Sequence, residues 1–237
     1  MRGRARSTGV LLCLLLALGG CSGDDDDDGG SSEGAAGDGR SASQSLKEAV
    51  AKTEAAGTAR MTFEVSISNG QSATFDGKGL VDFDHDRDLL TLSLGGQTVQ
   101  VFSDRGREYI RQGTSGRYQR LPASVDSPVA NDPAASLKYL GTDVIGAKRA
   151  DEDDCYEGSL DFNRIFTRVE PGHEAELPEQ LRGKKAPVTV CVDGAGRIRR
   201  YDVGLSIEVA ELEVRSTLSD HGRAPALDPL RPQERPR

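Results

Sequence analysis

Short segments with a strict alternation of apolar and polar residues constrain the fold of this 237-residue chain more than any other feature. Between residues 61 and 68, Met, Phe, Val and Ile occupy the odd positions, and Thr, Glu and Ser occupy the even ones. Similar segments follow as far as residue 121, separated by turn-forming pairs such as Asn69-Gly70 and Gly95-Gly96. A period of two with tight turns is typical of antiparallel strands that have one apolar and one polar face. The sequence therefore predicts an antiparallel meander over this region.

A helix is predicted immediately before the meander. Residues 46–53 place apolar side chains at helical spacing, Ser45 and Glu48 form a capping box, and Gly57 provides the stop. We expect the folded domain to begin here and to span residues 45–221, a length that can bury one core.

The second half of the domain contains shorter helices and a return of the strands. Asp132-Pro133 predicts the start of a helix that ends at Gly141, and a looser helical turn is expected over 177–182. Strands are expected at 144–145, 155–162, 186–192, 197–206 and 208–218, with a bulge in the last because its apolar parity changes after Val209. This order predicts an α+β fold in which the helices pack against one face of a large curved antiparallel sheet.

Residues 1–20 have the features of a bacterial lipoprotein signal peptide. Three arginines precede an apolar run from Val10 to Leu18, which is too short to span a bilayer as a stable helix. The segment that ends at Cys21 resembles a lipobox, in which the cysteine receives a diacylglyceryl group, with chains such as palmitate, and the signal is cut before it. An ordinary signal peptide with an incidental cysteine is the alternative. We expect a protein anchored through Cys21 to the outer face of the cell membrane, because two acyl chains hold a protein stably.

Residues 21–44 are predicted to form a disordered tether. This segment holds Asp24 to Asp28 and then mostly Gly, Ser and Ala, so it cannot bury enough surface to fold. A coil of this length has an r.m.s. reach of roughly 25 Å. Consecutive aspartates without a turn glycine do not build a coordination shell, so no metal site is expected there. The proline-rich residues 222–237 are likewise expected to be disordered.

The charge of the chain excludes one class of partner. Cleavage at Cys21 removes three arginines, so the net charge falls from −8 to −11, with 27 basic and 38 acidic residues. An acidic protein gains nothing from the phosphate field of nucleic acid or from an anionic lipid surface. We expect no nucleic-acid binding, and we expect the lipid rather than electrostatics to hold the protein at the membrane.

Four cysteines are present, and two remain for the folded domain. Cys13 leaves with the signal and Cys21 is lipidated, which leaves Cys155 and Cys191 in an oxidising compartment. A structural disulfide is expected, and the alternatives are two buried free thiols or a metal or redox pair.

The sequence offers no support for an enzyme. His85, His173 and His221 lie in predicted turns or loops, without metal-ligand spacing or a nucleophile partner. Gly77-Lys78-Gly79 and Gly194-Ala195-Gly196 are too short to cradle a phosphate and do not open a helix. We expect neither catalysis nor a cofactor.

The chain resembles the LppX/LprG-type lipoproteins of actinobacteria, which belong to a wider LolA-like group. The resemblance rests on the lipobox, the tether, the opening helix from Ser45 to Val50, the strand with Phe75-Asp76-Gly77-Lys78-Gly79, and Tyr109-Ile110-Arg111 with Asp132-Pro133. It implies a half-open antiparallel barrel with helices in its concave side and a non-enzymatic carrier with an apolar cavity for acylated lipids or lipoglycans. An envelope transporter is a candidate partner that the sequence does not identify, and we expect a monomer.

The apolar side of the predicted sheet supplies the expected lining of this cavity. Its residues are Met61, Phe63, Val65, Phe83, Leu92, Leu94 and Val101. The same side chains would equally fill a core, and in that case the domain is a tethered protein-interaction or signalling accessory module.

Overall fold

The computed structural model describes residues 41–69, 72–94, 96–105, 107–121, 133–152, 154–169, 181–207 and 210–230. The predicted signal peptide, Cys21, the aspartate run and Asp132 lie outside these residues, as do 177–180 of the expected helical turn and 231–237 of the tail.

Eleven strands and three helices make up the described part of the chain. In chain order they are α1 (Ala42–Glu54), β1 (Thr58–Ser68), β2 (Ser72–Asp82), β3 (Arg87–Leu94), β4 (Gln97–Asp104), β5 (Arg107–Gln112), β6 (Gln119–Arg120), α2 (Pro133–Thr142), β7 (Val144–Arg149), β8 (Cys155–Asp161), α3 (Phe162–Val169), β9 (Lys185–Val192), β10 (Ile198–Ile207) and β11 (Ala210–Ser219).

All strands belong to one antiparallel sheet with the order β6-β5-β4-β3-β2-β1-β11-β10-β9-β8-β7. Two meanders, β1 to β6 and β7 to β11, meet where the first strand pairs with the last. Within the described residues the sheet is open, with β6 and β7 at its edges. The predicted fold class, an α+β fold built on a large antiparallel sheet, is confirmed.

The pairing register assigns each side chain to one of two faces. Residues that oppose each other directly share a face. The odd residues of β1, β2 and β4, the even residues of β3 and β11 and, from Tyr201 onward, the odd residues of β10 therefore lie together. We call this the inner face. It carries Ala59, Met61, Val81 and Leu218, which pack with helix residues in the main core. The outer face carries mostly polar and charged side chains on β1, β10 and β11.

Helix α1 begins earlier than predicted and is fastened to the sheet at its end. Its N-cap is Ser41, whose hydroxyl accepts from the Gln44 N–H at 3.2 Å, and not Ser45. The predicted apolar face is confirmed, since Leu46, Ala49, Val50 and Thr53 are all buried. Thr53 Oγ1 donates to the Ala49 carbonyl at 2.7 Å and accepts from the Ile198 N–H at 2.8 Å. This hydroxyl therefore joins the last turn of α1 to the start of β10.

The later helices differ in part from the prediction. Helix α2 begins at Pro133 as expected but continues one residue past Gly141. A Cβ at Gly141 would lie 3.1 Å from Val50 Cγ2, so this glycine allows α1 and α2 to pack closely. Helix α3 was not predicted, because Phe162 was assigned to a strand. The Asp161 carboxylate accepts from the Asn163 and Arg164 N–H groups and caps this helix, a signal that the sequence contained.

The expected bulge is not found in the described part of β11. That strand keeps one register against both neighbours from Glu211 to Thr217. The register changes instead at Ile198/Arg200 in β10 and at Ile145/Lys148 in β7. The parity change at Val209 falls between β10 and β11, outside the described residues.

The beginning of the predicted tail is ordered, which differs from the expectation of disorder from residue 222. Thr58 Oγ1 donates to the Ala224 carbonyl at 2.8 Å. The Leu227 N–H donates to Asp82 Oδ2 at 2.8 Å, and Arg87 Nη1 donates to the Leu227 carbonyl at 2.9 Å. Thr58, Asp82 and Arg87 all lie on the outer face, so residues 224–227 run across that face.

Candidate functional site

Burial falls steadily along the inner face of the sheet. In β1, Ala59 and Met61 are 0% and 5% exposed, whereas Phe63, Val65 and Ile67 are half-buried. The neighbouring strands run in the opposite direction and show the same change at the same height, so the gradient follows position in the sheet rather than position in the chain. The end of the sheet near Thr53 is filled, and the opposite end is only partly covered.

The partly covered end presents a continuous apolar surface, which we call the distal apolar face. Its half-buried residues are Phe63, Val65, Ile67, Phe75, Leu92, Val99, Val203, Leu205, Leu212 and Val214. Val65 opposes both Phe75 and Val214 directly, which shows that the surface continues across the strands. It spans six strands, so it measures roughly 24 Å by 13 Å from strand spacing and rise. No charged residue occupies an inner-face position of β1, of β11 or of residues 201–205 of β10.

The residues predicted to line a cavity are found in three places. Phe63, Val65 and Leu92 lie on the distal apolar face, whereas Met61 and Val101 are buried. Phe83 follows β2 in a turn and packs against the core from there, and the Leu94 side chain lies outside the described residues. Sequence reasoning missed the contributions of β10 and β11, because nothing in the local pattern shows that the last strands pair with the first.

A crosswise row of residues forms the boundary of the distal apolar face on the side of the filled end, and two of its members, Phe63 and Leu92, belong to that face. The members of the row oppose one another in register and are Leu92, Gly77, Phe63, Ser216 and Tyr201. The Phe63 ring lies over Gly77 so closely that a Cβ there would be 2.2 Å from Phe63 Cζ. Small residues on both sides of Phe63 therefore make room for its ring.

Ser216 is the unusual member of this row. It is 1% exposed, and its hydroxyl has no hydrogen-bond partner among the described residues. A buried polar group without a partner costs about 1–3 kcal/mol. A buried hydroxyl that destabilises the fold in this way calls for an explanation, and a functional role is one.

The hollow at the edge of the sheet has a different character. It has a volume of about 350 Å³ and lies open against β7 and β8. Lys148, Glu157 and Lys185 line it, and Lys148 and Glu157 form an ion pair at 3.3 Å. It is a polar surface hollow rather than the expected apolar cavity.

The predicted disulfide between Cys155 and Cys191 is present, and it joins directly opposed residues of β8 and β9. Glu152 lies close enough to complete a three-ligand group with the two sulfurs. Because the sulfurs are bonded to each other, this group does not ligate a metal. A closed loop of 36 residues corresponds to about 4 kcal/mol in the chain-entropy model.

Two of the histidines have structural contacts. His85 Nδ1 lies 3.0 Å from both oxygens of Asp82, the carboxylate that holds the tail. His221 Nε2 lies 3.0 Å from the Ile198 carbonyl, and burial, assisted by nearby Arg197, lowers the pKa of His221. Neither histidine approaches a nucleophile in the contacts described. His173 lies outside the described residues.

The outer face of β10 and β11 is charged where the inner face is apolar. Arg200 Nη2 lies 2.7 Å from a Glu152 oxygen and its Nε lies 3.3 Å from Asp202, while Arg215 pairs with Glu213 at 2.7 Å. Burial raises the pKa of Asp202 despite these nearby arginines. The two faces therefore offer different chemistry, and the inner face alone suits an apolar ligand.

Comparison with known proteins finds proteins that are similar to this chain in structure but not in sequence. No protein-family model and no curated protein matches the sequence. The lipoprotein LppX of Mycobacterium tuberculosis is 11% identical with a TM-score of 0.47, over 79% of this chain and 98% of that one. A LolA superfamily protein from Nitrosomonas europaea is 8% identical with a TM-score of 0.37, over 75% and 92% of the two chains. A DUF1329 family protein from Desulfovibrio piger is 11% identical with a TM-score of 0.36, over 75% and 91%. At these values the similarity says nothing about ligand or activity.

None of the helices in the described residues combines the length and the apolar character needed to cross a bilayer.

Proposed function

We propose that this chain is a cell-envelope lipoprotein, anchored through Cys21, that binds the acyl chains of a lipid or lipoglycan on the distal apolar face. The observation that carries the proposal is the burial gradient of the inner face. Ten half-buried apolar side chains from six strands form one surface, and such surfaces on folded domains are commonly binding sites.

The size of the surface is adequate for an acyl ligand. Roughly 300 Å² of apolar surface, covered by a chain, contributes about 8 kcal/mol before the entropic costs of binding. The surface is apolar and carries only two aromatic rings, Phe63 and Phe75, so it suits a flexible hydrocarbon chain better than a planar ring system. The lipid head group would remain in water beyond the strand ends.

The sequence of the N-terminus supports a membrane source for this ligand. A lipidated Cys21 followed by a tether with a reach of roughly 25 Å keeps the domain close to the bilayer that holds its anchor. The same tether lets the domain turn so that the distal apolar face meets that bilayer.

A charge on the distal apolar face tests the proposal. We use the full chain with Cys21→Ala, which carries no lipid of its own, incubate it with phosphatidylethanolamine vesicles and count lipid adducts by native mass spectrometry. Val214→Asp is expected to reduce adduct formation at least tenfold, because a carboxylate would be buried beneath the acyl chain. Thr217→Asp, on the exposed outer face of the same strand, is the matched control and should bind as the parent does.

Circular dichroism confirms that each variant is folded, and Leu212→Asp, nearer the strand end, replaces V214D if that variant is not. A parent chain that takes up no lipid contradicts the proposal and favours the alternative, an interaction module with a filled core. Equal uptake by V214D and T217D places the ligand elsewhere.

A further inference from the structure

Ser216 indicates what kind of chain the distal apolar face accepts. This inference rests on the proposed function and goes further, because it concerns the chemistry of the ligand at a defined depth. Three observations on the described residues carry it: the burial of Ser216, its unpartnered hydroxyl and its place in the sheet.

The hydroxyl lies where an apolar side chain would be expected. Every other inner-face position of β1, of β11 and of residues 201–205 of β10 is apolar or tyrosine, and Ser216 sits between Phe63 and Tyr201. The Phe63 ring requires a small residue at this position, which explains the size of serine. It does not explain the hydroxyl oxygen, because alanine would leave as much space for the ring. The oxygen therefore requires its own explanation.

The depth of Ser216 defines which part of a ligand reaches it. Six residues separate Ser216 from Ala210, where β11 begins at the distal end, so the distance along the strand is roughly 20 Å. One leaflet of bilayer hydrocarbon is about 15 Å thick. Because the depth of Ser216 exceeds this thickness, only the terminal carbons of a long, extended acyl chain reach it when the chain enters from the distal end with its head group outside.

We infer that the site takes an oxygenated long-chain lipid, whose far end displaces the side chains that cover Ser216, and that Ser216 Oγ then hydrogen-bonds to a hydroxyl or keto oxygen near that end. The serine hydroxyl donates to that oxygen, or accepts from a ligand hydroxyl, in a place where water is excluded. A plain hydrocarbon end makes no such bond and leaves Ser216 unpartnered.

Hydroxylated fatty acids test this directly. The full chain with Cys21→Ala is titrated with hexadecanoic acid and with its analogues hydroxylated at carbon 2 or carbon 16. Ser216→Ala is compared with the same protein carrying Ser216, and Ser66→Ala on the outer face of β1 is the matched control. S216A is expected to weaken binding of the 16-hydroxy acid by roughly 3- to 10-fold relative to hexadecanoic acid, which is the range for one hydrogen bond. The ratio for the 2-hydroxy acid should not change, because its hydroxyl stays at the strand ends.

The results distinguish a failure of the inference on Ser216 from a failure of the proposed function. If all three acids bind but S216A leaves every ratio unchanged, the inference on Ser216 is wrong and the proposed function stands. If S216A lowers the affinity for all three acids equally, the serine shapes the surface without contacting a ligand oxygen, which also overturns the inference. If the parent chain binds none of the acids while S66A and the parent are folded, the inference fails together with acyl-chain binding at this face.

Discussion

Gly77, Phe63 and Ser216 show at the scale of single residues how the inner face is shaped. The Phe63 ring occupies the space over Gly77, and Ser216 lies directly opposite on the other side. The position of this ring sets the boundary between the filled end and the distal apolar face. A change that moves the ring should therefore affect both stability and binding.

Gly77→Ala is expected to lower the free energy of unfolding by about 1–3 kcal/mol, because the new methyl group meets a ring that must shift. Urea denaturation followed by circular dichroism measures this loss. Gly194→Ala is the matched control, since a Cβ at Gly194 meets nothing within 4 Å. Equal stability of the two variants would show that the Phe63 ring moves aside without cost.

At the scale of elements, a few specific groups hold α1, α2 and the start of the tail in place. Thr53 joins α1 to β10, Gly141 lets α2 approach α1, and Asp82 holds the ordered start of the tail. Asp82 is buried and titratable. Burial raises the pKa of Asp82, but hydrogen bonds from the Leu227 N–H and from His85 outweigh this and lower the pKa below its usual value.

Asp82→Ala is expected to release residues 224–230 from the outer face, because the Leu227 N–H loses its acceptor. Hydrogen exchange of this segment should become faster in the variant. Asp76→Ala, an exposed carboxylate on the same face of the same strand, is the control and should leave exchange unchanged.

The pH dependence of this contact follows from the lowered pKa. The carboxylate of Asp82 stabilises the folded state above its unfolded pKa of about 3.9, and this stabilisation is lost as the pH falls through the lower folded value. Exchange in the unaltered chain should therefore approach that of D82A only below about pH 4. A tail that loosens between pH 5 and 7 would contradict this assignment.

At the scale of the whole molecule, the described residues form an open sheet with a filled end and an apolar end, and the N-terminal sequence predicts a lipid anchor and a tether. Cleavage before Cys21 would leave a chain with a net charge of −11, which gains no electrostatic attraction to anionic lipid. We therefore propose that attachment depends on a lipid at Cys21 alone.

Cys21→Ala is expected to move the protein from the membrane fraction to the soluble fraction of an actinobacterial host, since no acyl chain is added. Fractionation and immunoblotting of cells measure the distribution. Washing membranes with 1 M salt serves as the control and should not release the unaltered chain. Retention of C21A on membranes would show a second means of attachment.

Local patterns predicted a large share of this structure. The alternation at residues 61–68 gave β1 and its inner side chains, the buried face of α1 was read from helical spacing, and Pro133 marked the start of α2. The incorrect predictions also came from the interpretation of short local segments. Ser45 was chosen as the cap although Ser41 lies one turn earlier, and the Asp161 cap of α3 was passed over in favour of a longer strand. The ordered tail could not be foreseen, because its bonds to Asp82 and Arg87 span about 140 residues.

The amino-acid sequence by itself predicted that one face of the sheet would be apolar and that two cysteines would pair. It also predicts a lipid anchor at the N-terminus. These follow from periodicity, composition and short motifs, which act within a few residues. Only the tertiary structure decided which strands share that face. The pairing of β1 with β11 brings Val65 against Val214 and Ser216 against Phe63, across about 150 residues of chain. A period of two specifies which face of the sheet a side chain occupies, but not which side chain lies beside it. The distal apolar face and the buried hydroxyl of Ser216 at its boundary therefore form only when the two meanders pair.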